Sequence, residues 1–456
     1  MTSPETSAPE LATGRIVRTW WPLAASWLLM ATELPAVSAV VARLPNPEIN
    51  LAAYGGVVFP LALIVESPII MLLAASTALS KDRASYLKLR RFMMAAGALL
   101  TALHVLIAFT PLYYVIVTGL IGAPREVVEP ARLGLMLITP WTWAIAYRRF
   151  NQGVLIRFGH SEVVGQGTLI RLTANATVLA IGYLVGTIPG VAVAALTAAA
   201  GVMSEAVFVG LRVQPILRNQ LRYAPAVEPA LTFRAMMGFY IPLAMTSLLF
   251  LIVQPMGSAA LSRMPNALAS LAVWPVIAGV SFLTRSPGIA YNEVVVALLD
   301  EPGSVRSLKR FMWILVAATT AFLFLVAATP LAGLWFERLS GLTPQLARLA
   351  RGGLWLVLPM PALSVLQSWY QGAILHSRRT GGITEAVVIY LVTSIALLWA
   401  GVMWGQVAGL YVGLGVFTLS SLAQTAWLWH RSRPSLHAVQ TRDAQPAAVS
   451  AVGVSS

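Results

Sequence analysis

The chain has 456 residues, of which 58% are hydrophobic and only 11% charged. A water-soluble protein of this length would have too few polar side chains to cover its own core, so the composition excludes an ordinary soluble globular fold and makes lipid the main solvent. The net charge of +14 is read as Lys and Arg retained in cytoplasmic loops, not as a nucleic-acid footprint.

Residues 1–14 are rich in Pro, Ser and Glu, lack the basic start and short apolar core of a cleaved signal, and read as a disordered tail. Apolar stretches near the ~20 residues that cross a hydrocarbon layer as a helix then follow. They are expected at 20–41, 51–79, 92–117, 132–152, 168–187, 189–211, 235–257, 268–297, 311–336, 352–375, 383–402 and 407–429. The fold class is therefore an all-α integral membrane protein of 12 transmembrane helices, working as a monomer in the cell membrane. Its two six-helix lobes span 15–225 and 226–430, and a second disordered tail spans 431–456.

Basic residues fall mainly in even-numbered connections, among them Lys81, Arg83, Lys88, Arg90, Arg91, Arg157, Arg218, Lys309 and Arg310. Odd-numbered connections hold fewer, chiefly Arg43, Arg125, Arg132, Arg263, Arg338, Arg348 and Arg351. Both termini are accordingly expected in the cytoplasm. Arg148 and Arg149 read as interfacial anchors, and Trp20 and Trp21 as indoles at a helix end seeking the membrane interface.

The sequence repeats itself. At a separation of 220, Trp21-Pro22-Leu23-Ala24 matches Ile241-Pro242-Leu243-Ala244, Pro35 matches Pro255, and Ala42-Arg43-Leu44-Pro45-Asn46 matches Ser262-Arg263-Met264-Pro265-Asn266. At 219, Ser67-Pro68 matches Ser286-Pro287, Arg91-Phe92-Met93 matches Arg310-Phe311-Met312, Thr110-Pro111-Leu112 matches Thr329-Pro330-Leu331, and Gln152-Gly153 matches Gln371-Gly372. Six helices separate equivalent points, an even number, so the halves are parallel copies related by an axis along the membrane normal. Repeated prolines remove backbone hydrogen bonds inside helices that lipid cannot replace, which predicts bends at equivalent positions.

Leu51-Ala52-Ala53-Tyr54-Gly55, Glu66-Ser67-Pro68, Ser80-Lys81-Asp82-Arg83 and the stretch Ala102-Leu103-His104 resemble the progressive ankylosis protein family. In the second half, Pro242-Leu243-Ala244, Gln254-Pro255, Ser262-Arg263, Pro287-Gly288 and Asn292-Glu293 are similar to the same family. That family resembles the multidrug, oligosaccharidyl-lipid and polysaccharide (MOP) flippase superfamily, with its MATE-like pair of six-helix lobes. The resemblance implies a secondary transporter exporting small anions of the citrate, pyrophosphate or nucleotide class. Extrusion of lipophilic cations, or flipping of a lipid-linked substrate, is the alternative. The loop Ser80-Lys81-Asp82-Arg83-Ala84-Ser85-Tyr86 lacks the glycines of the major facilitator group.

Charges inside apolar spans are expensive and therefore candidates for function. Glu66 and Arg285 occupy equivalent positions 219 apart, and a pseudo-two-fold axis is expected to bring them together as a pair across the central cleft. Glu33 precedes Pro35 in the first span. With Glu66 it is a candidate for H+ or Na+ coupling. The candidate substrate-binding set is Arg285, Glu66, Asn292, Glu293, Gln254, Arg171 and Asn175, with Arg171 also read as snorkelling to the interface. Glu205 is expected to pair with a loop arginine, and His104 to be a packed histidine. With no Cys, five scattered His, three Asp and no phosphate-binding loop, no catalytic or metal cluster is visible; the expectation is a non-enzyme with no cofactor.

Overall fold

A computed structural model of the protein describes residues 11–377 and 381–444, and every regular element among them is helical. The long helices are α1 (Thr13–Val41), α2 (Pro47–Leu79), α3 (Arg83–Phe109), α4 (Arg125–Leu137 and Thr139–Arg157), α5 (Glu162–Val185), α6 (Gly190–Asn219), α7 (Phe233–Leu261), α8 (Ala267–Leu298), α9 (Ser304–Ala328), α10 (Pro344–His376), α11 (Gly381–Trp404) and α12 (Gly409–Ala444). Ten of these are long and apolar enough to cross a membrane. The protein is a multi-pass membrane protein. The other two, α4 and α12, carry more polar residues, notably Arg148, Arg149, Asn151 and Gln152 in α4.

Repeated prolines place matched breaks. α1 breaks at Thr32, ahead of Pro35, and α7 at Ile252, ahead of Pro255, while α4 breaks at Ile138 beside Pro140 and α10 at Leu358–Pro359. Pro68 deprives the Ile64 carbonyl of its backbone donor, and the Ser67 hydroxyl donates to that oxygen at 2.8 Å instead. In α8, by contrast, Pro287 is accommodated without a break.

The halves interlock. The inner stretch of α1 packs along α8 of the other half, with Trp20 Nε1 donating to the Pro287 carbonyl at 2.9 Å and Trp27 edge-on to Phe282. Its counterpart α7 packs on α2, where Tyr240 donates to the Pro68 carbonyl. Trp20 and Tyr240 are 220 apart and Pro287 and Pro68 219 apart, so one contact is made twice. Trp20 is thus a cross-half anchor, where an interface position was expected.

Between the halves, α2 and α8 meet near their N-terminal ends. Gly55 lies against Pro275, its equivalent 220 residues on, so closely that a Cβ at Gly55 would sit 2.4 Å from the Pro275 ring. Only glycine permits that approach.

At the far end of α2, Asp82 caps α3. Its Oδ1 accepts from Ser85 N at 2.8 Å and its Oδ2 from Val227 N at 3.0 Å, fastening the inter-half linker. The last helix runs on to Ala444, past the point where a disordered tail was expected, because Leu436 and Val439 pack on the cluster holding Ile16 and Leu299. Residues 1–10 and 445–456, the rest of the expected tails, lie outside the described residues.

Candidate functional site

Below the Gly55–Pro275 contact, α2 and α8 diverge and a cavity of about 500 Å³ opens between the halves. Six charged side chains line it: Glu33 from α1, Glu66 from α2, Arg148 and Arg149 from α4, Arg171 from α5 and Arg285 from α8. Gln254 of α7 also lines it, and most of the remaining wall is apolar or aromatic.

The N-terminal half builds a connected network. Asn175 Nδ2 donates to Glu33 Oε1 at 2.8 Å, and Arg171 Nη2 lies 3.3 Å from Glu33 Oε2. The same arginine's Nε is 3.7 Å from Glu205 Oε2, which also accepts from Arg148. Gln152 Nε2 completes the shell, donating to Glu205 Oε1 at 2.8 Å. Glu205 and Arg148 are 1% and 4% exposed, so this pair is withdrawn from solvent and held by several hydrogen bonds, the condition under which a buried ion pair is tolerated. Glu66 is 2% exposed; Arg148 and Arg149 are the charges that act on it, yet its Oε2 has no hydrogen-bond partner. Arg149 makes no ion pair among the described residues, and its Nε is buried without an acceptor.

The C-terminal half contributes Arg285 alone. Among the described residues no carboxylate pairs with it, Tyr390 of α11 is the titratable group that acts on it, and its Nε is buried without an acceptor. The expected Glu66–Arg285 pair is not made. Gly55 and Pro275 hold α2 and α8 together some 10–11 residues away, about 16 Å along the helices. Beyond that contact Glu66, from α2, and Arg285, from α8, line one cavity without an ion pair between them.

Other sequence expectations divide. Glu33, Glu66, Arg171, Arg285 and Gln254 share the cavity, and Asn175 stands behind it on Glu33. Asn292 does not line it: its Nδ2 donates to the Ser368 carbonyl of α10 at 3.2 Å. Glu293 is exposed away from it. Arg171 does not snorkel outward, and Arg148 and Arg149 are not interfacial anchors, because Glu33, Glu66 and Glu205 draw them inward. Glu205 pairs with helix arginines, not with a loop. His104 is fully buried, with Nδ1 2.8 Å from Thr142 Oγ1 and Nε2 3.1 Å from the Leu135 carbonyl, outside the cavity. Sequence reasoning missed the aromatic walls, Tyr54–Phe59–Trp141 on one side and Trp274–Phe417–Tyr390 on the other. Helical spacing alone does not separate cavity-lining aromatics from core ones.

A second matched contact joins the two halves. Arg263, after α7, donates to the carbonyls of Ile121 (2.7 Å), Leu120 (2.8 Å) and Gly119 (3.2 Å), the end of the short helix Leu112–Ile121 of the other half. Arg43, after α1, donates to the Arg338 carbonyl at the equivalent helix end. Each guanidinium also bonds the carbonyl four residues before it, Ala39 at 2.6 Å or Ala259 at 2.7 Å.

No family model and no curated protein matches the sequence. Solved structures do match its architecture. An inward-facing multidrug resistance MATE-family transporter of the MOP superfamily superposes with a TM-score of 0.69 at 13% identity, covering 93% of this chain and 99% of that one. The fold is MATE-like. The lipid II flippase MurJ in an inward closed conformation gives 0.61 at 14% identity, covering 91% and 90%. A MOP-superfamily transporter from Pyrococcus furiosus, described as having a binding pocket of reversed polarity, gives 0.54 at 15% identity, covering 95% and 100%.

Proposed function

We propose that the protein is a secondary transporter of organic anions that works by alternating access. It has twelve membrane-crossing helices, both termini cytoplasmic, and kinship with the progressive ankylosis family within the MOP superfamily. The observation that carries the anion reading is the charge of the cavity. Its N-terminal wall and the Glu205 behind it hold three arginines and three glutamates, so the surplus positive charge rests on Arg285, which no carboxylate neutralises. A buried cation left without a partner is costly, and an entering anion relieves that cost.

The contacts at Gly55–Pro275, Arg43 and Arg263 all lie on the outer side of the cavity, which supports a resting state open to the inside. Anion binding between Arg285 on one half and Arg149 on the other draws the inner walls together, and the outer contacts part. Glu66 supplies the coupling: proton uptake there raises the charge of the site by one and favours the anion, so proton and anion occupancy are positively linked. Glu33, already bound by Arg171 and Asn175, holds the network in register.

A second reading, extrusion of lipophilic cations, is favoured by the unpartnered Glu66 oxygen within an aromatic wall. Proteoliposome uptake of citrate, pyrophosphate, nucleotides and cationic dyes, with and without proton or sodium gradients, separates the two. Selective movement of dyes overturns the anion reading.

A further inference from the structure

We infer that the transported anion is amphipathic: an organic acid with one or two acidic groups on a flat aromatic body, not a small polyanion. This rests on the anion reading above and narrows it. Two arginines from different halves, Arg149 and Arg285, line the cavity with a buried Nε that has no acceptor; Arg285 carries the surplus charge, and Arg149 has Glu66 and Glu205 near it without a direct ion pair among the described residues. Seven aromatic side chains line the same cavity among aliphatic ones. Phe59 lies 6.2 Å from Trp141 between ring centroids, Trp274 lies 5.3 Å from Phe417, and Tyr390 stacks on Phe417 at 6.4 Å. Phe282 faces the same space one turn from Arg285.

A densely charged polyanion entering here gives up its hydration along its whole surface and regains hydrogen bonds only at two guanidinium groups. An aromatic acid surrenders water mainly at its acidic group, and its rings gain apolar burial and edge or offset contacts. The cavity, about 500 Å³, has the size and the lining of a site for a drug-sized organic molecule.

The test uses the full-length protein in proteoliposomes with two permanently charged sulfonates, which cross lipid poorly, 2-naphthalenesulfonate and methanesulfonate, and with the small polyanions citrate and pyrophosphate. The expected KM for naphthalenesulfonate is at least tenfold below that for methanesulfonate. Trp274→Ala and Phe282→Ala are expected to shrink that ratio several-fold, whereas Arg285→Ala weakens both sulfonates. Citrate or pyrophosphate carried with a KM equal to or below that of naphthalenesulfonate overturns the inference and leaves the anion reading standing. Transport of cationic dyes alone overturns both.

A second inference stands on the outer face, independent of what the cavity carries. We infer that Arg43 and Arg263 are a duplicated latch that holds the outer side shut. Each arginine follows the first helix of one half and grips the carbonyl end of a short helix in the other, where the last carbonyls lack intrahelical donors and the helix dipole favours a cation. Each guanidinium also rests on a glycine with left-handed backbone, Gly341 (φ 71°) under Arg43 and Gly122 (φ 72°) under Arg263. A side chain there would meet the guanidinium at 2.9–3.3 Å. The latch residues, their carbonyl partners and their glycines all recur at 219–220. Both arginines are exposed, so water can replace their bonds when the halves part.

The chain has no cysteine, so a single Val37→Cys or Val253→Cys, both lining the cavity, reports access to a membrane-impermeant maleimide. Labelling from the face bearing Arg43 is expected to quicken at least fivefold in Arg43→Ala or Arg263→Ala and further in the double variant, with Arg→Lys between. An unchanged rate in the double alanine variant refutes the latch. So does equal quickening from both faces, which would signify loosened structure.

Discussion

In the N-terminal half of the cavity three glutamates meet three arginines, whereas in the C-terminal half Arg285 stands with none. The backbones of the two halves have kept the duplication closely: Trp20 and Tyr240, Arg43 and Arg263, and Gly55 and Pro275 still occupy matched places. Charge has diverged where geometry has not. Under the proposed function this contrast is a division of labour, with one half offering a network for coupling and the other a single unpaired cation for the substrate.

The largest effect expected comes from breaking the N-terminal network. Glu205→Leu strands Arg148 and Gln152 in a site closed to solvent, and removing one partner of a buried pair costs about 3–5 kcal/mol. A sharp loss of thermal stability in detergent is expected, partly restored by pairing the change with Arg148→Met. An unaltered melting temperature for Glu205→Leu would show that the network is not what holds this wall.

Next comes the crossing on the axis. Gly55→Ala sets a methyl group 2.4 Å from the Pro275 ring, an overpacking expected to cost about 1–3 kcal/mol. Pro275→Ala removes the ring that the new methyl meets, so the double variant is expected to recover stability; additive losses, measured by the same melting assay, would place the strain elsewhere.

A smaller effect distinguishes the inner loops. Asp82, held by Ser85 and Val227, titrates below the ordinary carboxylate value: burial pushes it up, but the hydrogen bonds it accepts outweigh that. A depressed folded-state pKa means its contribution is complete above the unfolded value, about 3.9, and fades as pH falls through the folded one. Asp82→Asn is expected to cost about 1 kcal/mol near neutrality and less in acid, read from melting curves across pH. Its repeat equivalent, Glu301, instead meets Arg15 of the other half at 2.5 Å and lies partly exposed, so Arg15→Ala is expected to cost less than that.

The fold was legible because it depends on features that single residues carry. Apolar length marks the spans, and the rare Pro, Gly and Arg pairs at 219–220 expose the repeat, its breaks and its parallel sense. Glu33, Glu66 and Arg285 were legible as candidates, and they share one cavity, because a charge deep within an apolar run demands a reason. The failures are failures of depth and direction. Arg148 and Arg149 sit near a span end, and only the positions of Glu66 and Glu205 show that they turn inward. Equivalence under the repeat predicted that Glu66 and Arg285 would pair, but equivalence fixes matching depth, not separation. The Gly55–Pro275 contact holds α2 and α8 together 10–11 residues from the two charges, and no ion pair joins those charges.

Arg285 is the most direct point of attack. Reconstituted wild-type, Arg285→Lys and Arg285→Ala proteins, matched for melting temperature, can be compared for kcat/KM with an aromatic sulfonate and with a cationic dye. The account predicts efficient sulfonate transport by the wild type, partial retention in Arg285→Lys, and a loss of tenfold or more in Arg285→Ala. Equal sulfonate transport by all three, or a wild type that carries only the dye, would contradict it.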